Sequence, residues 1–290
     1  MPEIPEIQAH AERIEADFGG RVLERFTPLT FTALKTVTPP PDEAYGHPLR
    51  GVGRRGKHLL LDFGSVTFVV HLMQGGRLLA SAELARKPRG GQARFVFAPR
   101  PQNDDDGAAD ERALLLTEQG TERRAGVWCV ASDELWTSPP LVDLGPEATE
   151  VTPDEMAALF AARSMRIHGL LRDQRVVAGI GRRLANEICH RARVSPFATT
   201  GRMGQEEAGT IVEAIRSCVA EDLAHERARA EMSRSRERPT AVHGRTGEPC
   251  PVCDDTVRAV EYSGYTVNYC PTCQTGGRVL ADNTTSKFLK

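Results

Sequence analysis

The sequence predicts an α+β chain of several parts: an N-terminal helix heading an antiparallel β-sandwich, then a helical domain, then a small C-terminal ribbon. Three observations carry this. Short β-rich runs separated by glycine or proline fill residues 21–135. Beyond Thr152-Pro-Asp-Glu155 the apolar residues recur at helical spacing instead. Finally, Cys250-Pro-Val-Cys253 is followed, sixteen residues later, by Cys270-Pro-Thr-Cys273.

At the N-terminus, Ile7, Ala11, Ile14 and Phe18 repeat at helical spacing, and Gly19-Gly20 ends the run. Glu3 and Glu6 lie one turn apart at its start, on one side of the helix. Removal of Met1 exposes Pro2 as a secondary amine of pKa near 8, partly neutral at physiological pH and able to attack an aldehyde-like carbon. By themselves, paired glutamates in a first turn read equally as solvated charges favoured by the helix dipole. The β-rich runs follow: Val22–Phe26, Val52–Phe63, Val66–His71, Ala93–Phe97, Ala113–Leu116 and Val127–Val130. Lys57, in Arg54-Arg-Gly-Lys-His58, stands at the rim of the second run. There a lysine either snorkels to water or meets a phosphate. His71-Leu-Met-Gln-Gly-Gly76 reads as a flexible tip, and the acidic stretch around Asp104-Asp-Asp106 and Asp110-Glu111 as a solvated hairpin loop.

Composition shifts between Ser138-Pro-Pro140 and Gly145-Pro-Glu147, which marks a linker. Helices are predicted from Met156, around Ile167–Leu171, from Leu184 to Ala192 and from Gln205 through Val219. Gly179-Ile-Gly181 joins two of them in a turn whose amides can grip phosphate. Residues 226–245 carry mostly Arg, Ser and Glu and read as a mobile loop.

The two Cys-x-x-Cys pairs have the spacing of a four-thiolate zinc ribbon, and the alternation between them predicts a β-hairpin. So small a unit buries little core, and the metal holds it folded. Two disulfides or four unused thiols are the competing readings.

Composition narrows the function classes. The chain has 290 residues, seven cysteines, a formal charge of −2 and a pI near 6.5. Cys129, Cys189 and Cys218 sit among apolar neighbours as reduced thiols, which points to the cytosol. No membrane-spanning run or leader is visible. The overall charge argues against a uniformly basic nucleic-acid coat. Yet eight arginines lie between Arg163 and Arg193, against Asp173 and Glu187, so a local basic surface is available.

In this order, Met1-Pro-Glu-Ile-Pro-Glu6, Arg54-Arg-Gly-Lys57, Asp173-Gln174 with Gly179-Ile-Gly181, and the closing Cys-x2-Cys-x16-Cys-x2-Cys-Gln274 resemble the formamidopyrimidine-DNA glycosylase and endonuclease VIII family. The resemblance spans nearly the whole chain. It implies a catalytic β-sandwich domain at 1–136, a linker at 137–150, a helix-two-turn-helix domain at 151–242, a zinc ribbon at 243–274 and a basic tail at 275–290. Damaged double-stranded DNA is then the partner, held between the first two domains by a monomeric protein. It further implies a bifunctional glycosylase and AP lyase of base excision repair, with Pro2 as nucleophile on C1′ of a flipped nucleotide, Glu3 and Glu6 as proton-handling and orienting carboxylates, and Lys57 at the adjoining phosphate. One structural Zn2+ is expected on Cys250, Cys253, Cys270 and Cys273. The expected DNA contacts are Met73, Gln74, Arg123, His168, Arg182, Tyr265 and Arg278.

The pattern also departs from that family. Tyr265 stands where the family carries a phosphate-contacting arginine, with Arg258 and Arg278 as candidates for its role. Arg182 replaces the asparagine after Gly-x-Gly, and His168 replaces a lysine. Thr121-Glu-Arg-Arg-Ala125 stands in place of an Asp-Pro-Arg-Arg-Phe wedge, which argues against oxidised-purine specificity. These changes motivate an alternative: a damaged-DNA or abasic-site binding protein with little turnover. A zinc-ribbon transcription or RNA factor explains the knuckles but leaves the N-terminus without purpose.

Overall fold

The computed structural model describes residues 1–99, 112–120, 122–262 and 264–280, apart from the Ser235 side chain. Asp104–Asp106, Asp110, Glu111 and Thr121 therefore lie outside the described residues, as does the tail from 281. Met1–Pro2 and Glu6–Asp143 form one compact unit, and Glu3–Pro5 with the chain from Leu144 onward form a second.

The first unit contains helix α1 (Ile4–Phe18) from Glu6 on, and its strands run antiparallel. Ile7, Ala11, Ile14 and Phe18 are buried along one stripe, as their spacing predicts. Gly20, at φ +77°, takes the left-handed conformation that ends the helix. Among the described residues the strands are β1 (Leu23–Pro28), β2 (Gly51–Arg55), β3 (His58–Asp62), β4 (Val66–His71), β5 (Gly76–Ser81), β6 (Gly91–Phe97), β7 (Ala113–Glu118) and β8 (Gly126–Ala131). They build two four-stranded sheets, ordered β1-β6-β7-β5 and β2-β3-β4-β8. Rings from both sheets meet between them. Phe26 on β1 lies 5.2 Å from Phe68 on β4, which packs edge-on against Phe95 of β6 at 5.1 Å. A shared aromatic core of this kind makes the pair a sandwich.

Two expectations for this unit needed revision. The run Val52–Phe63 is two strands joined by a two-residue turn, because Gly56 adopts φ +55°, as tight hairpins require. The stretch expected as a flexible tip is instead a bonded turn leading into β5, a strand that sequence periodicity did not reveal. Leu72 O accepts from Gly76 N at 2.8 Å, and a Cβ on Gly76 would lie 2.1 Å from that oxygen.

The second unit is helical with a ribbon. α2 (Pro153–Ala162) opens with Thr152, whose hydroxyl accepts from Glu155 N at 3.2 Å while Thr152 N donates to the Glu155 carboxylate at 2.8 Å, a complete capping box. α3 (Ile167–Arg172), α4 (Arg182–Arg191) and α5 (Gln205–Arg227) follow, with α5 packed on α2 and α4. Their core includes Met156, Phe160, Leu170, Leu184, Ile188, Ile211 and Ile215, and Ile4 packs into it. Strands β9 (Arg258–Tyr262) and β10 (Tyr265–Tyr269) form the predicted hairpin, and the short α6 (Pro271–Thr275) carries the last cysteine. Residues 226–245 are not a loop with nothing to bury: Met232, Ser233, Arg238 and Val242 are buried, with Glu226 accepting from Ser233 N at 3.1 Å. The polar composition misled because these side chains satisfy one another inside the fold.

Candidate active site and metal centre

In the first unit Pro2 is buried beside an exposed Met1, and Glu6 and Lys57 are buried as well. Lys57 occupies the turn between β2 and β3. Its charge is felt by His71 at the end of β4: burial, reinforced by the His58 and Lys57 charges, pushes the His71 imidazole down to about 3. The neutral ring then has an acceptor nitrogen, and His71 Nδ1 receives Met73 N–H at 3.1 Å. That bond supports Met73 at φ +52°, a conformation a side-chain-bearing residue rarely adopts. Met73 is half-buried, and Gln74 and Arg123 are exposed.

In the second unit Glu3 is buried, and its carboxylate accepts from Arg183 N at 3.2 Å and Leu184 N at 2.9 Å. These are first-turn amides of α4, groups that no intrahelical carbonyl satisfies and that carry the positive end of the helix dipole. Gly181 makes the approach possible, since a Cβ there would lie 2.0 Å from Glu3 Oε1. Sequence reading found the glycines but missed what shapes the turn. Gln174 Oε1 accepts from Gly179 N at 2.9 Å, and Gln174 Nε2 donates to Ile180 O at 2.8 Å, so one amide side chain closes the segment before α4. Its place in Asp173-Gln174 was the only available signal.

The ribbon hairpin leans on α3 through a stack of rings. Tyr262 and Tyr265 face each other across the strands, centroids 4.9 Å apart and nearly parallel. His168 stacks on Tyr265 at 6.3 Å, and the Arg172 guanidinium covers the Tyr265 ring at 4.3 Å. Arg166 lies 5.6 Å from the Tyr262 centroid and hydrogen-bonds its hydroxyl. Arg182 Nη1 donates to Gly264 O at 3.1 Å, at the hairpin turn. His168, expected as a phosphate contact, is buried; burial, with the Arg172 charge, pushes it down to about 3, so it is neutral in the folded protein. Arg258 pairs with Tyr269 at the end of the hairpin away from the turn, and Arg278 is exposed beyond α6. Neither shares the turn with Tyr265.

The cysteines come together as predicted. All four sulfurs lie within 4.8 Å of one another, at 3.4 Å for Cys253–Cys270, 3.5 Å for Cys253–Cys273 and 3.9 Å for Cys250–Cys273. A tetrahedral Zn2+ with Zn–S bonds of about 2.3 Å sets its sulfurs roughly 3.8 Å apart, so the set fits that ion. A ring nitrogen of His190 lies 3.3 Å from Cys250 Sγ, a hydrogen bond that would steady this sulfur as a ligand to a bound ion. The ribbon is tied to α4 by Glu187, whose carboxylate accepts from Ala241 N, Val242 N and His243 N at 2.7, 3.1 and 2.8 Å. Gln274 adds a second tie, accepting from Cys270 N at 2.8 Å and donating to Val194 O at 3.0 Å.

A β-sandwich, an α4 whose first turn holds a carboxylate, and a four-sulfur ribbon are the parts that the sequence resemblance to DNA glycosylases with a zinc finger implied, and comparison with known proteins shows that class. Residues 1–115 match the formamidopyrimidine-DNA glycosylase N-terminal domain, residues 144–233 its H2TH domain, and residues 247–276 the zinc finger found in FPG and IleRS. A formamidopyrimidine-DNA glycosylase of Chloroflexus aurantiacus is 30% identical, covering 94% of this chain and 98% of the relative. An uncharacterised formamidopyrimidine-DNA glycosylase-like protein of Mycobacterium tuberculosis is 42% identical over 149 residues, 51% of this chain and 94% of that protein. Among solved structures, MutM (Fpg) from Thermus thermophilus superposes with a TM-score of 0.77 at 26% identity, covering 94% of this chain and 98% of its own. Lactococcus lactis Fpg, solved with abasic-site DNA, shares the fold at a TM-score of 0.79 and 18% identity, covering 94% of this chain and 99% of its own. The chain belongs to the formamidopyrimidine-DNA glycosylase family, the DNA glycosylases of base excision repair. Among the described residues no helix is long and apolar enough to cross a membrane.

Proposed function

We propose that this protein is a bifunctional DNA glycosylase and AP lyase acting on an oxidised or ring-opened base in duplex DNA. The observation that carries the reading is the Glu3 carboxylate fixed by the Arg183 and Leu184 amides, one residue after Pro2. A glutamate meant only to favour a first helical turn faces water; this one is buried and held at both oxygens.

The chemistry follows from the residue types. With Met1 removed, the Pro2 nitrogen lone pair attacks C1′ of the damaged nucleotide, the C1′–base bond breaks, and the base leaves with the electron pair and a proton. Glu3 delivers or relays the proton to the sugar oxygen as the ring opens, leaving an iminium between Pro2 and C1′. Loss of the C2′ proton then expels the 3′ phosphate by β-elimination. Lys57 holds the phosphate beside the lesion, and Glu6 orients the N-terminal groups. Zn2+ on Cys250, Cys253, Cys270 and Cys273 keeps the ribbon folded, with no part in these steps.

Borohydride trapping tests the reading. Incubated with a duplex carrying an abasic site, the protein forms a covalent adduct that Pro2→Gly loses. Absence of the adduct, from protein shown by N-terminal sequencing to start at Pro2, overturns the enzymatic reading and leaves the abasic-site binding protein.

A further inference from the structure

The stack on the ribbon hairpin has a feature the catalytic reading does not use. Arg166, Arg172 and Arg182 all meet the hairpin at or near its turn: Arg172 over the Tyr265 ring at 4.3 Å, Arg166 against Tyr262, and Arg182 on Gly264 O. Among the described residues none of the three forms an ion pair with a carboxylate. Other arginines of the same unit do: Arg163 with Asp173, Arg183 with Asp222 and Arg191 with Glu221. The difference is informative. Three guanidinium groups gathered at one hairpin repel one another unless an anion joins them. Beside its turn the hairpin offers rings in place of that anion, since the flanking pair is Tyr265 opposite Tyr262.

The ring pair also limits how Arg172 can move. Cation–π attraction holds the guanidinium, whose central carbon lies 4.3 Å from the ring centroid, against the aromatic face. Tyr265 is itself fixed on its other contacts, by Tyr262 at 4.9 Å and His168 at 6.3 Å. His168 is buried and neutral, so it adds a surface without adding charge. The Arg172 guanidinium is therefore held in one place beside the hairpin turn, and a guanidinium is a planar donor fork able to match two oxygens of a phosphodiester.

We propose that Arg172, held against the Tyr265 ring and flanked by Arg166 and Arg182, is a phosphodiester-contacting residue, and that the Tyr262–Tyr265 pair is the platform that positions it. This rests on the reading of the chain as a DNA-acting protein. Under it, Tyr265 is a positioning residue, and the charge beside the ribbon turn comes from α3, not from the hairpin or from Arg258 and Arg278.

The test is equilibrium binding of the zinc-loaded, full-length protein to a duplex carrying a tetrahydrofuran abasic analogue, followed by fluorescence anisotropy over a range of KCl concentrations. The analogue cannot form an iminium, so binding is read apart from chemistry. Arg172→Ala is expected to weaken binding roughly tenfold and to make the slope of log K against log salt shallower by about 1. Arg172→Lys keeps the slope while losing affinity, because the charge stays and the fork is lost. Tyr265→Phe behaves as wild type. Tyr265→Ala reproduces the affinity loss of Arg172→Ala and adds little in the double variant, as a platform acting through Arg172 requires. An unchanged salt slope in Arg172→Ala, with zinc content and circular dichroism intact, overturns the proposal, and so do fully additive losses in the double variant. Should Tyr265→Ala not fold, the two Arg172 variants decide alone. If the wild type binds the duplex and is trapped by borohydride while Arg172→Ala changes nothing, only this inference fails; a wild type that binds no damaged duplex removes both.

Discussion

The helical part of the second unit and its ribbon hold themselves together by different means. Among the described residues the helices share one apolar cluster that runs from Met156 and Phe160 through Ile188 to Ile211 and Ile215. The ribbon's own buried cluster is Val242, Cys250, Val257 and Cys270, of which two belong to the four-sulfur set that fits a metal ion, with Cys253 and Cys273 packed against it. Burial of apolar area stabilises the first by many small contributions. The second has little such area, and in a unit of this kind a bound metal ion would supply the folding free energy that apolar burial does not. The same compact unit thus contains one region with a broad apolar core and one whose small core is built around four sulfurs.

Metal removal separates the two most sharply. Chelation with a strong zinc ligand is expected to make residues 247–276 sensitive to limited proteolysis and to abolish binding to damaged duplex, while the far-ultraviolet signal of α2–α5 persists. Loss of that helical signal in step with the metal would show that the ribbon is a keystone for the helices, and the contrast would be broken. A smaller effect is expected inside the helical core. Phe160 is fully buried, and Phe160→Ala should lower the unfolding free energy by about 3–5 kcal/mol with zinc content unchanged, as read by urea denaturation beside metal analysis.

The smallest expected effect sharpens the comparison at the junction of the two regions. His168 on α3 and His243 before the ribbon are pushed down to about 3 and about 4, in both cases first by burial; for His243 the Glu3 carboxylate pulls the other way and Arg183 adds to the lowering. Both folded values lie below the ordinary 6.5, so below pH 6.5 the unfolded chain takes up protons that the folded chain refuses. Their contribution is fully present above pH 6.5 and drains away as pH falls toward 4 and 3. Between pH 6.5 and 5.5 each histidine should cost about 1 kcal/mol. Denaturation curves at the two pH values, repeated with His168→Gln, check this: the variant should lose about half of the pH dependence due to the pair, and an undiminished dependence would remove His168 from the account.

What could be read from the chain in advance was whatever is encoded by short spacing. The cysteine knuckles, the helical stripe of Ile7, Ala11, Ile14 and Phe18, and the strand Val66–His71 are local patterns, and the structure has them where the pattern puts them. Side-chain partners were not legible. Gln174 stood in the Asp173-Gln174 motif, but that its amide closes the turn before α4 is visible only in the structure. Arg172 was one of eight arginines in a basic stretch, and only the packing of the ribbon hairpin against α3 puts Tyr265 under it. The segment 226–245 misled for the same reason: burial of Ser233 and Arg238 depends on partners that composition does not reveal.

Gly181 has a consequence for how variation along this chain should be weighed. It stands far from the N-terminus in sequence, yet the nearest obstacle to a methyl group there is the carboxylate of Glu3. Alanine at 181, a change usually filed under loop flexibility, would dislodge an acid that arrives from some 180 residues earlier, so the codon for Glu3 and the one for this glycine are under a single steric constraint.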